Sequence, residues 1–247
     1  MKSLYVIHHS PWSERARWAL LHHELRFVER EHVPLVGELA LRRRAKQKGK
    51  VSVPLLVEDD GTAIQGSMAI AEHADNRGSR PTLFPPGHES RIRELFDAIE
   101  DSLCAGRERF GQRLANDREA QLDVLPPLLR KLPFAGLSAK MGSSFIRKKW
   151  DATKGSIDDR IRGGLVKARE AVNGQKYVLG EFSFADMICT SVVQIVRPVD
   201  SSYWDFSPAM RRVWTDDALA SEFGDLIAWR DAVYAKHRPR TATQAAE

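Results

Sequence analysis

Cysteine is scarce in this chain, with Cys104 and Cys189 the only two in 247 residues. Two thiols cannot build a disulfide framework, and their scarcity points to a reducing compartment. Long apolar runs are missing as well. No stretch reaches the roughly 18 residues of a membrane-spanning helix, and the opening MKSLYVIHHSPWSER has too short an apolar run for a secretory signal. A cytoplasmic location with no membrane partner is expected. His8-His9 and His22-His23 are adjacent pairs, whose side chains point in different directions on a strand or a helix. Without HExxH or Cys/His ligand spacing, no metal site is expected. The G-x-S-x-G elbow of a serine hydrolase is missing too, which weighs against a nucleophilic serine.

Positive charge is in modest excess, at +5. Much of it lies in RRRAKQKGK (42–50) and KHRPR (236–240). No aromatic residues interleave with these runs as base-stacking platforms would, so nucleic acid is not expected as a partner. The runs read as a solvated helix face and a frayed tail.

What is present divides into two differently built halves. SLYVI (3–7) reads as a buried strand and residues 12–25 as a helix. RFVEREHV (26–33) reads as a weaker strand and 36–47 as a basic helix. PLLVED (54–59), a turn at Asp60-Gly61 and TAIQ (62–65) form a hairpin signal. SMAIAEHADNR (67–77) has helical periodicity, giving the order β-α-β-α-β-β-α. The first helix carries apolar residues on two stripes, Trp12, Ala16, Ala19 and Leu20 against Trp18, Leu21 and Leu25. Such a helix is sandwiched between two layers. GSRPTLFPPGHES (78–90) then breaks all periodicity, and helices are expected near 89–114, 117–131, 156–173, 183–197 and 208–235, the last one broken or continuous. The fold class is therefore α/β plus α. Residues 1–78 form the first domain, 79–88 a linker, 89–235 an all-α domain, and 236–247 a disordered tail. Ser183 and Asp186 form a capping box, with Phe182 and Met187 at staple positions. Cys104 and Cys189 fall in helices and read as fillers.

Three short stretches offer chemistry. Ser10-Pro11 is a natural helix start, serine capping and proline at the first helical position. A hydroxyl in that positive potential could equally stabilise a thiolate by hydrogen bonding and lower its pKa. Val53-Pro54 opens a strand, where proline is tolerated; a cis bond there would turn the Val53 backbone outward to meet an extended peptide. Ser67 opens the third helix, either as a simple N-cap or as a carboxylate holder.

Together SPWSERARWAL (10–20), VSVPLLVEDDGTAIQGSMAIAEHAD (51–75) and GEFSFADMI (180–188) resemble the cytosolic glutathione transferase family, in a serine-type, bacterial-like form. The resemblance implies a thioredoxin-like, glutathione-binding N-terminal domain followed by an all-α helical domain. It implies a detoxifying transferase that adds the glutathione thiolate to a small hydrophobic electrophile. Glutathione is then a co-substrate, and a homodimer is expected. Ser10 corresponds to the residue that activates the sulfur. Val53, before a cis Pro54, would pair with the cysteinyl backbone, and Ser67 would bind the γ-glutamyl carboxylate. His9 and Trp12 would border the sulfur, and Lys50 would meet the glycyl carboxylate. The family commonly carries Glu or Gln before the helix-start serine; this chain has Gly66 there, with Gln65 one position early. The other reading the residues leave open is a non-catalytic binding protein on the same scaffold.

Overall fold

A computed structural model describes residues 1–34, 37–46, 51–124 and 155–240. Strands β1 (Ser3–Val6), β2 (Val28–Glu31), β3 (Leu55–Val57) and β4 (Ala63–Gln65) form one sheet in the order β2-β1-β3-β4. β2 runs parallel to β1, whereas β3 is antiparallel to both β1 and β4. Helices α1 (Pro11–His22), α2 (Glu38–Ala45) and α3 (Ser67–Arg77) complete the alternation that the sequence predicts.

Strand alternation sorts the two faces of the sheet. Leu4, Val6, Leu56 and Ile64 join the main core with residues of α1 and α3. Tyr5, Leu55, Val57 and Ala63 pack with Leu41 and Ala45 of α2 in a smaller cluster. The Asp60-Gly61 turn forms as expected. Gly61 adopts φ 84° and donates to the Glu58 carbonyl at 3.0 Å, and the Asp60 carboxylate accepts from the Thr62 N–H at 2.8 Å. The strands are shorter than their sequence signals, and the first helix ends at His22 rather than residue 25. Glu24, at φ 56°, turns the chain out of the helix.

The remaining described helices are α4 (Glu89–Leu114), α5 (Arg118–Asp123), α6 (Ile157–Val172), α7 (Phe184–Gln194), α8 (Pro208–Trp214), α9 (Asp217–Glu222) and α10 (Gly224–His237). Every residue of α7 is buried, and it begins with the expected capping box between Ser183 and Asp186. α4 and α6 approach so closely that a Cβ at Gly164 would lie 1.9 Å from the Ser102 hydroxyl. The helical stretch expected over 208–235, read as broken or continuous, is broken twice. Thr215 is extended, Asp216 caps α9 by accepting from the Leu219 N–H at 3.1 Å, and Phe223 separates α9 from α10. α10 continues to His237, and Arg238 beyond it is buried. The expected helices at 36–47 and 117–131 extend into residues outside those described.

α1 is sandwiched as its two stripes imply: Ala16, Trp18, Ala19 and Leu20 are all buried, and the helix packs on both α3 and α7. The segment joining α3 to α4 is itself part of the core. Leu83 is fully buried, donates its N–H to Asp75, and accepts from the N–H of Phe184 at 2.8 Å. Among the described residues, no helix is long and apolar enough to cross a membrane.

Candidate active site at one end of the sheet

Strand register gathers the chemistry-bearing stretches. Ser3 pairs with Val57 and Tyr5 with Leu55, so the C-terminal end of β1 meets the start of β3. Leu55 pairs in turn with Gln65, which brings the end of β4 to the same edge. Ser10 follows β1, the cis Val53-Pro54 bond precedes β3, and Gly66-Ser67 follows β4. The Gly66 N–H donates to the Pro54 carbonyl at 3.0 Å, and the Ser52 N–H donates to Gln65 Oε1 at 3.3 Å. α1 and α3 both begin at this edge, so two sets of first-turn N–H groups and two positive dipole ends lie there. Such an edge favours an anion.

Both serines of HHSPWS shape the corner. Ser10 Oγ caps α1 by accepting from the Ser13 N–H at 3.4 Å, with Pro11 at the first helical position. Ser13 is fully buried, and its hydroxyl accepts from the Ile7 N–H at 3.2 Å. The cap uses Ser10 oxygen as an acceptor, so its O–H can still donate to a bound group. Ser10 is half-buried.

Ser67 departs from expectation in one respect. The N-cap of α3 is Gly66, and Ser67 is its first helical residue. Gly66 sits at φ 95°, a conformation side chains disfavour, and among the described residues a Cβ there would meet nothing within 4 Å. Among the described residues the buried Ser67 hydroxyl has no hydrogen-bond partner, which costs about 1–3 kcal/mol when nothing meets it. Gln65 turns its amide oxygen to the Ser52 backbone. Lys50 lies outside the described residues.

Several residues that hold this corner escape sequence reasoning. The Trp204 indole donates to the His8 carbonyl at 2.8 Å, and the His8 ring lies 2.9 Å from the Asp205 carbonyl. The His9 ring meets Phe206 edge-on, with centroids 4.8 Å apart. Glu31 accepts from the His8 N–H at 3.1 Å, and burial pushes its carboxyl above the usual range. On the helix side, Trp12 Nε1 donates to Glu100 at 2.6 Å, and Arg15 donates to the same carboxylate at 2.9 Å. Trp12 and Arg15 share a face by their i, i+3 spacing; their partner, 85 or more residues away, leaves no local signal. Among the described residues no group of three His, Cys, Asp or Glu side chains could hold a metal.

A mixed four-stranded sheet with this topology, followed by a helical region, is the thioredoxin-like domain plus helical region of the glutathione transferase fold. More particularly, residues 4–82 match the family model described as "Glutathione S-transferase, N-terminal domain". Among solved structures, the chain is similar to a glutathione transferase from Phanerochaete chrysosporium, with a TM-score of 0.62, 16% identity and 98% of each chain covered. It is also similar to a glutathione S-transferase from Methylobacillus flagellatus with glutathione bound. There the TM-score is 0.56 and the identity 15%, over 96% of this chain and 95% of that one. A third, glutaredoxin 2 from Salmonella typhimurium in complex with glutathione, gives a TM-score of 0.54 at 19% identity, over 93% and 99%. No curated protein matches the chain in sequence.

Proposed function

We propose that this protein is a glutathione transferase in which Ser10 stabilises the glutathione thiolate for attack on a small hydrophobic electrophile. The observation that carries the reading is the register of the sheet, which brings Ser10, Val53-Pro54 and Ser67 to one edge beneath two helix N-termini. The N-terminal family match and the glutathione held by proteins of similar fold support it. Ser10 O–H donates to the sulfur, the helix potential favours its negative charge, and the thiol proton leaves to solvent. The thiolate then bonds to the electrophilic carbon, whose displaced electron pair leaves with the departing group or takes up a proton.

In this reading Val53 pairs its backbone with the cysteinyl residue, Pro54 sets the strand start, and Ser67 with the first-turn N–H groups of α3 holds the γ-glutamyl carboxylate. Gly66 leaves open space beside that carboxylate, and Gln65 braces the Val53 segment through Ser52. His9 and Trp12 border the sulfur, and Lys50 meets the glycyl carboxylate. The protein acts as a cytoplasmic homodimer, with residues 1–78 and 89–235 as its two domains.

One observation favours the alternative, a binding protein without catalysis: Gly66 offers no side chain to the γ-glutamyl group, and Gln65 is already engaged with Ser52. Titrating bound glutathione by its thiolate ultraviolet absorbance separates the two. The transferase ionises glutathione near neutral pH. A binding protein holds glutathione with its thiol titrating as it does in water.

A further inference from the structure

We infer that Glu100 is a positioning residue for the reaction, acting through the indole of Trp12; the inference rests on the transferase reading above. Trp12 is gripped by α4 at two places. Its Nε1 donates to Glu100 Oε2 at 2.6 Å, and the Arg107 guanidinium lies over its ring, 5.5 Å from the centroid. Residues 100 and 107 are seven apart, so both project from one side of α4. The other Glu100 oxygen accepts from Arg15 at 2.9 Å.

Arg15 makes this carboxylate hard to replace. It is 1% exposed, and among the described residues its Nε and Nη1 have no hydrogen-bond partner and Glu100 is the carboxylate that pairs with its charge. Burial lowers the Arg15 pKa, and the Glu100 charge opposes that shift. Two N–H donors, from Trp12 and Arg15, therefore converge on two oxygens of one group. Only a carboxylate supplies both as acceptors; a glutamine must turn its NH2 toward one of the donors.

The geometry ties this clamp to Ser10. Trp12 and Arg15 lie in the first turns of the helix that Ser10 caps. Trp204 and His8 bind the loop side of the same corner to the segment before α8. Freeing the indole therefore releases the helix side of the corner, and with it the wall beside the sulfur.

Glu100→Gln in the wild-type and Trp12→Phe backgrounds tests the inference. A lost hydrogen bond to a charged group corresponds to about a tenfold effect or more. In the wild-type background we expect E100Q to lower kcat by about that factor, with KM for glutathione within about twofold. In the W12F background the indole N–H is gone and the glutamine can turn its oxygen to Arg15. There, as in the wild-type background, E100Q lowers the melting midpoint because Arg15 loses its counter-charge, but it lowers kcat of the folded protein by less than about threefold, the non-additivity of a coupled pair. Emission spectra check the contact without catalysis: the E100Q-minus-parent difference spectrum should vanish in the W12F background. Equal E100Q losses of kcat in both backgrounds, or a difference spectrum that survives W12F, overturn the inference. Failure of the transferase reading shows instead in the unmutated protein, as glutathione that does not ionise.

Discussion

Glu14 is an acidic residue buried to 3% exposure, and its replacement gives the sharpest stability prediction. Arg238 donates to it at 2.7 Å through Nε and at 3.4 Å through Nη2, and Arg17 donates from the next turn of α1. Arg17 also donates to Glu29 of β2 at 2.6 and 2.8 Å. Burial alone would raise the Glu14 carboxyl, but the charges of Arg238 and then Arg17 overcome it and hold the pKa below its usual range. Glu14→Leu leaves Arg17 with Glu29 but strips Arg238, itself 5% exposed, of its carboxylate. Removing one partner of a buried pair costs about 3–5 kcal/mol. At roughly 2–4 °C per kcal/mol for a chain of this size, the midpoint should fall by roughly 6–20 °C. Thermal melts at pH 7, with urea melts to confirm an unchanged slope, make the measurement. Glu14→Leu combined with Arg238→Met should recover most of the loss, because no unpaired charge remains. An E14L protein melting within about 2 °C of wild type would refute the reasoning, since such a shift is worth no more than about 1 kcal/mol.

The other predictions rest on single features. Gly66→Ala meets no steric neighbour among the described residues but must hold φ 95° and ψ 147°, a region kept almost entirely for glycine, so it should cost about 1–3 kcal/mol in urea melts; an unchanged midpoint would contradict the positive φ. Burial, with the charges of Lys236, His22 and Lys176, pushes the His237 pKa down to about 4 from its ordinary 6.5. The unfolded chain therefore binds the extra proton, and stability is full above about pH 6.5 and falls as pH drops toward 4. His237→Gln should flatten that slope in melts between pH 7.5 and 4.5; an identical slope would contradict it. Burial raises the thiol pKa of both Cys104 and Cys189. A thiol-exchange reagent at pH 8 should therefore label Cys104 slowly and Cys189 only on unfolding; rapid reaction of either in the native protein would contradict the burial.

Local punctuation is what the sequence makes legible. Ser10-Pro11, Asp60-Gly61 and Ser183…Asp186 each fix a boundary through contacts within a few residues, and each forms where its motif stands. Boundaries without such punctuation drift: the weak alternation of RFVEREHV narrows to Val28–Glu31. The breaks after α8 fall at Asp216, which caps α9, and at Phe223, within a stretch whose spacing leaves a broken and a continuous helix both open. The buried charges of α1 were not readable. Glu14, Arg15 and Arg17 find their partners, Arg238, Glu100 and Glu29, in distant parts of the chain, which no local spacing reveals. The three stretches of the candidate site were each visible as helix or strand starts. Only the pairing of Tyr5 with Leu55 and of Leu55 with Gln65 puts them on one edge.

The central claim is that Ser10 at the head of α1 holds a glutathione thiolate. Its most direct test is the pH titration of thiolate absorbance for glutathione bound to the wild-type protein and to Ser10→Ala. The account predicts ionisation near neutral pH in the wild type and a shift back toward the solution value in S10A. Glutathione that binds the wild type with its solution pKa, or a titration that S10A leaves unchanged, would contradict it.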